Sequence, residues 1–176
     1  ELANPGAENE PLRFENLAKE RRVQFAGGEA MFTVAKDPSR PFIIETPSGS
    51  VRVTGTVFNV RADGTDAVLE VTVTEGSVEV RPRDGTTGPI ALQANDHLLA
   101  RGKTLDVKQG LSQSQLDDLL AWRQGMIVFN DVPLADAVAR FARHHGRSYH
   151  VDSALATETV GGRHRIDDLD GFLSFI

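Results

Sequence analysis

The chain has 176 residues, of which 40% are hydrophobic and 25% charged, a composition typical of a globular protein with one or two domains. It contains no cysteine, which excludes disulfide bonds and thiolate metal sites. The formal net charge of −6 and the lack of a long basic run argue against nucleic-acid binding. No apolar run approaches the ~20 residues that a membrane-spanning helix needs.

Residues 1–110 predict a β-rich domain. Apolar and polar residues alternate, as Leu69 and Val71 do with Glu70 and Thr72, which predicts half-buried strands with a solvated outer row. Turn signals rich in glycine, proline and aspartate separate these short runs and indicate an all-β sandwich, barrel or solenoid. A weak, irregular repeat of a glycine followed by a short strand is also compatible with a solenoid.

The periodicity changes after residue 110. Residues 111–124 predict a linker helix, and residues 125–176 predict a small domain with the element order β-α-β-β-α. A helix start in its last residues, LDGFLSFI, runs into the end of the chain. We therefore expect the chain to be a fragment of a larger protein, truncated at the C-terminal end of this small domain.

One helix dominates the small domain. The strand that begins at Met126 leads into it, Pro133 is expected in its first turn, and Gly146 is expected to end it. Its apolar residues fall on one stripe: Leu134, Ala137, Val138, Phe141 and Ala142. We expect a structural core of Leu134, Val138, Phe141, Phe129 and Trp122, with the tryptophan packed between the two halves of the chain.

The titratable residues of the small domain do not predict a catalytic or metal site. Asp167, Asp168 and Asp170 are expected to cap a helix, because no bidentate glutamate follows at a calcium-loop spacing. Four of the five histidines lie in this domain without the spacing of a metal site, namely His144, His145, His150 and His164. No nucleophile elbow or glycine fingerprint is present, so we expect neither an enzyme nor a cofactor. Gly161 and Gly162 predict a bulge or a close backbone approach.

Four short motifs follow one another along the chain. They are GEAMFTV with a later Pro-Phe pair, GTVFNV, EGSVEV, and WRQG followed by FND and PL. In this order they resemble the FecR family of transmembrane anti-sigma and sigma-regulator proteins. The resemblance implies a mainly β fold with an α+β part: an irregular β-solenoid, or sandwich-like, domain followed by a domain like the small secretin-and-TonB N-terminal (STN) domain.

The resemblance also implies a location and a partner. Such a region lies in the periplasm of a Gram-negative bacterium, as part of a single-pass inner-membrane protein. It receives a signal by binding the N-terminal signalling domain of a TonB-dependent outer-membrane receptor, often one for iron siderophores. The extracytoplasmic-function sigma factor is contacted only by a cytoplasmic segment, which is not among residues 1–176.

A sheet of few strands leaves an edge on which a partner can add a strand. Two segments are candidates for this partner-binding edge, with Arg163 and Arg165 providing specificity. Their residues are Ser148, Tyr149, His150, Val151 and Asp152 in the first segment, and Val160, Arg163, His164 and Arg165 in the second. Two alternatives remain open: a β-rich module that binds glycan or peptidoglycan, and a periplasmic scaffold that self-assembles through the same edge.

Overall fold

The computed structural model describes residues 13–64, 67–83, 88–145 and 149–175. The chain divides into two compact units, Glu1–Leu116 and Asp117–Ile176. The strands of the first unit are β1 (Arg13–Asn16), β2 (Arg21–Gln24), β3 (Gly28–Thr33), β4 (Phe42–Thr46), β5 (Gly49–Val53), β6 (Val57–Asp63), β7 (Val68–Glu75), β8 (Ser77–Pro82), β9 (Ile90–Gln93), β10 (His97–Arg101) and β11 (Thr104–Lys108). The elements that follow are α1 (Gln113–Leu119), a 3-10 helix (Ala121–Gln124), β12 (Met126–Pro133), α2 (Leu134–His145), β13 (Thr159–Arg165) and α3 (Leu169–Phe175).

Two open sheets that share one hydrophobic core form the first unit. One sheet has the strand order β1-β2-β4-β5-β8-β9 and the other β11-β10-β7-β6-β3. Ile44 and Val51 of the first sheet belong to the same buried cluster as Phe58 and Val71 of the second. The mainly β with α+β fold class is confirmed. Of the two forms expected for the first unit, the structure has the sandwich-like one, since its described strands close neither a barrel nor a solenoid.

The outer face of β7 corrects one prediction from the sequence. Glu70 and Thr72 were predicted in a solvated row, yet they are only 8% and 1% exposed. They continue two rows of polar residues that cross the second sheet. In the first row Arg61 of β6 lies opposite both Glu29 of β3 and Glu70, and in the second row Thr72 lies opposite Asn59 of β6 and His97 of β10. We call these six residues the buried polar rows.

Hydrogen bonds between neighbours explain why these polar rows can be buried. The Arg61 guanidinium forms an ion pair with the Glu70 carboxylate, and the Asn59 side-chain amide donates to Glu29 Oε1 at 2.8 Å. Buried polar groups are tolerated when they satisfy one another in this way. An alternation of polar and apolar residues therefore identifies the strand but not the exposure of its polar face.

His97 gives the buried polar rows a dependence on pH. Its Nδ1 lies 3.0 Å from Thr72 Oγ1, and its Nε2 lies 3.7 Å from Glu70 Oε1. Burial lowers the pKa of His97 below its ordinary value, although the Glu70 carboxylate acts in the opposite direction. The folded protein therefore keeps this imidazole neutral at a pH at which the unfolded chain already binds a proton.

We expect the free energy of unfolding to fall as the pH drops below about 6.5, because protonation of His97 then favours the unfolded chain. Urea denaturation of the wild type and of His97→Gln at about pH 7.5 and 5.5 measures this contribution. The variant should lose less stability than the wild type between the two pH values. An equal loss in both proteins would contradict the assignment to His97.

The second unit is built on the antiparallel pair of β12 and β13. Phe129 pairs with Gly162 and Val132 with Val160, so two residues of β12 face one of β13. The bulge predicted at the two glycines is present, but the extra residue lies on β12, where Asp131 has a φ of 52°. Gly125, which ends the 3-10 helix in the left-handed conformation with a φ of 70°, turns the chain into β12.

Pro133 corrects a second prediction, because it ends β12 and does not lie in the first turn of α2. The Leu134 N–H donates to the Glu158 carbonyl at 2.7 Å, so Leu134 occupies a hydrogen-bonded position of the ladder. We call such a position inward, because its main-chain N–H and C=O point toward the partner strand. Antiparallel ladders alternate inward and outward positions, so the preceding residue is outward. The main-chain nitrogen of Pro133 thus lies where no donor is required.

The helices α2 and α3 cover one face of this pair of strands. The predicted apolar stripe lies on α2, and its residues Leu134, Ala137, Val138 and Phe141 are buried. The rings of Phe141 and Phe172 stack with their centroids 4.5 Å apart. The buried cluster comprises Ile127, Phe129, Leu134, Ala137, Val138, Phe141, Leu169 and Phe172, and we call it the phenylalanine core.

Candidate functional site

The first predicted edge segment is not a strand. Ser148 lies outside the described residues, and Tyr149 to Asp152 have no regular secondary structure. Asp152 begins a turn instead: its side-chain carboxylate accepts from the Ala154 N–H at 2.8 Å, and its carbonyl accepts from the Leu155 N–H at 3.0 Å. The order of the described elements is therefore β-α-β-α, one strand fewer than predicted. Tyr149 and Val151 pack against the phenylalanine core, whereas His150 is exposed.

The second predicted segment is strand β13, and one hydrogen bond fixes which of its residues face outward. The Ile166 N–H donates to the Gly125 carbonyl at 2.9 Å, so these two residues form an inward pair. Counting back two residues at a time, His164 and Gly162 are also inward. The main-chain groups of Arg163 and Arg165 therefore point away from β12. Among the described residues, no third strand pairs with β13.

The side chains of β13 alternate in the same register. His164 lies on the inner face, with its ring centroid 5.1 Å from that of Phe172 and 5.9 Å from that of Phe129. Its Nε2 lies 3.3 Å from the Gly161 carbonyl oxygen. Val160 also packs against the phenylalanine core. The structure thus places His164 and Val160 among the packing residues, away from the surface that a partner would contact.

The two arginines lie on the opposite, open face of the pair. Arg165 donates two hydrogen bonds to the Asp167 carboxylate, at 3.0 and 2.8 Å, and this contact lowers the pKa of Asp167. Arg163 is exposed, and its Nη2 donates at 3.4 Å to the side-chain oxygen of Gln124. We call the outward main-chain groups of β13 together with these two side chains the arginine edge.

The sequence did not reveal two further residues of this edge, Thr159 and Gly161. Both occupy outward positions by the same alternation, because Val160 pairs with Val132 and Gly162 with Phe129 on the inward side. Their signal in the sequence is only that Gly161 lies two residues and Thr159 four residues before Arg163. The spacing predicts an outward position only because the hydrogen bond from Ile166 to Gly125 shows which alternate residues of β13 face outward.

The aspartate and histidine residues that were weighed as metal or catalytic candidates include two with clear structural contacts. Asp168 Oδ1 accepts from the Gly171 N–H at 2.9 Å at the start of α3, as predicted for a helix cap. His145 Nε2 lies 2.8 Å from the Ile166 carbonyl oxygen, and its ring stacks on Phe141. No group of three or more histidine, aspartate or glutamate side chains suited to a metal occurs in the part of the chain that the structure describes. Trp122 is buried.

Comparison with known proteins shows that the chain is similar to sigma-factor regulators. Two crystal structures of a Parabacteroides distasonis ATCC 8503 protein designated an anti-sigma factor, at 1.65 and 2.50 Å resolution, have TM-scores of 0.77 and 0.76 and 26% identity. Each match covers 92% of this chain and 74% or 73% of the other. Residues 10–79 match the family model of the FecR protein, which confirms the resemblance to FecR-family regulators. No curated protein matches the chain.

These matches support a role in signalling or regulation. The FecR and anti-sigma factor regulators are not a class of enzymes. FecR-family proteins are membrane-anchored regulators. None of the described helices of this chain is both long enough and apolar enough to cross a bilayer.

Proposed function

We propose that this chain is the periplasmic signal-receiving region of an inner-membrane sigma-factor regulator. In this proposal it binds the N-terminal signalling domain of a TonB-dependent outer-membrane receptor, in cell-surface signalling that controls iron–siderophore uptake. The second unit acts as the STN-like receiving domain, and the sigma factor is contacted by a part of the protein outside residues 1–176. Support comes from the FecR match and from the anti-sigma factor designation of the similar structures.

The arginine edge is the observation that carries this proposal. A strand with outward N–H and C=O groups can be extended by a strand from a partner, whose main-chain hydrogen bonds supply affinity. On this edge Arg163 and Arg165 direct their main-chain groups away from β12 and their exposed side chains away from the phenylalanine core. At Arg163 the edge can therefore accept a partner without any change in the packing of the described residues of the second unit.

We expect Arg165→Pro to weaken binding of the receptor signalling domain at least about tenfold, because proline removes an outward N–H and places a ring on the edge. Isothermal titration calorimetry with the purified signalling domain from the same genome measures the effect. Arg165→Ala keeps the N–H and should bind like the wild type. Circular dichroism confirms that each variant is folded.

A matched control uses the opposite edge of the same pair of strands. Val128 lies directly across from Arg163, and its N–H points outward on the far side of β12. Val128→Pro should therefore leave binding unchanged. Loss of binding in this variant alone would place the partner on β12, and retained binding in both proline variants would refute strand addition to the second unit.

Self-assembly through the arginine edge is the alternative that the same geometry allows. Light scattering at tens of micromolar distinguishes the two functions, because self-assembly requires a dimer or larger species that Arg165→Pro dissociates. A monomer that binds the signalling domain supports the proposed function.

A further inference from the structure

The arginine edge has one cation that is not neutralised by a carboxylate. Arg165 is held by both oxygens of Asp167, whereas among the described residues the Arg163 side chain bonds to the neutral Gln124 side chain alone, at 3.4 Å. Within the described residues, no carboxylate forms an ion pair with Arg163. A partner strand that pairs with β13 therefore meets an exposed positive charge that the described part of the second unit leaves uncompensated.

The outward main-chain groups of Arg163 also stay clear of the contacts that the carbonyls of its neighbours Arg165 and Gly161 make. The outward carbonyl of Arg165 accepts from the Asp168 N–H at 3.2 Å, and the outward carbonyl of Gly161 lies 3.3 Å from His164 Nε2. Neither contact involves the N–H or C=O of Arg163. Gly161 and Gly162 precede it without side chains, so an incoming backbone can approach closely at this point. Pairing on β13 is therefore expected to centre on Arg163.

Resting on the proposed function, we infer that the partner strand carries a carboxylate at the position directly opposite Arg163. Side chains opposite one another in a sheet project from the same face, with Cβ atoms about 4.5–5.5 Å apart. A glutamate or aspartate there reaches the guanidinium on the open face, away from the phenylalanine core. The arginine edge thus selects an acidic strand among the strands that could pair with it.

Charge reversal at Arg163 tests the inference. We expect Arg163→Glu to weaken binding of the receptor signalling domain about tenfold and Arg163→Met about threefold, because the first change also introduces repulsion. Calorimetry at about 50 and 300 mM salt should show the dissociation constant of the wild type rising more steeply with salt than that of Arg163→Met. Arg52→Glu, the same charge change at an exposed residue of β5 in the first unit, should stay within about twofold.

The outcomes separate this inference from the proposed function. If Arg165→Pro abolishes binding while Arg163→Glu binds like the wild type, the partner does pair with β13. The inferred carboxylate opposite Arg163 is then refuted. Tighter binding by Arg163→Glu would indicate a cationic partner strand and would overturn the inference. If neither variant alters binding, the proposed edge itself fails.

Discussion

Phe141→Ala should unfold the second unit while the first unit stays folded. Phe141 is completely buried and contacts Phe129 and Phe172 in the phenylalanine core. Truncation of a buried phenylalanine costs about 3–5 kcal/mol, which is comparable to the whole stability of a unit with so small a core. Trp122 is the only tryptophan of the chain and lies in the second unit, so its fluorescence follows this loss in a urea titration.

Leu173→Ala is the matched control for this truncation. Leu173 belongs to the same unit, in α3, but its side chain is exposed. Its replacement should lower the free energy of unfolding by less than about 0.5 kcal/mol. If the two variants shifted the fluorescence transition equally, the phenylalanine core would not be the source of stability in this unit.

Glu70→Ala should destabilise the first unit by about 3 kcal/mol. The Arg61 and Glu70 side chains form an ion pair from which water is almost entirely excluded, so removal of the carboxylate leaves a buried guanidinium without its nearest counter-charge. Breaking one partner of a buried pair typically costs about 3–5 kcal/mol, far more than the pair contributes relative to apolar residues. Urea denaturation followed by far-ultraviolet circular dichroism measures the loss.

An exposed ion pair of the same unit provides the comparison. Arg81 Nη2 lies 2.8 Å from Glu79 Oε1, but the two side chains are 59% and 34% exposed. Glu79→Ala should therefore change stability by less than about 0.5 kcal/mol. The double variant Arg61→Met/Glu70→Leu should recover most of the loss caused by Glu70→Ala, because it removes both buried charges. A failure to recover would attribute the loss to packing of the glutamate side chain.

Local patterns were sufficient to predict the elements whose residues have one clear role. The apolar stripe from Leu134 to Phe141 predicted α2, and the alternation around Val71 predicted a strand. The carboxylates before α3 were predicted to cap it, and Asp168 does so. In these segments periodicity and capping chemistry favour the same structure, so tertiary packing had nothing to override.

Other features depend on partners distant in sequence. The alternation of β7 did not show that Glu70 would be covered, because its partner Arg61 is brought alongside only when β6 and β7 pair. The apolar Tyr149 and Val151 suggested a strand, yet the turn at Asp152 keeps them as packing residues of the second unit. For the arginine edge, the amino-acid sequence identified the two cations. Only the hydrogen-bond ladder between β12 and β13 showed which way their main-chain groups point.

If β13 binds a partner as proposed, its alternation makes partner binding depend on the same strand register as folding. A slip of the strand by one residue would carry Arg163 among the phenylalanine rings and turn His164 toward water, at the expense of desolvating a guanidinium. Evolution can therefore change the charges displayed to a partner by substituting odd-numbered residues of this strand, without disturbing the even-numbered ones that hold the unit together. Under the proposed function, two related chains can differ by that route in the receptor that they bind while they keep the same interior.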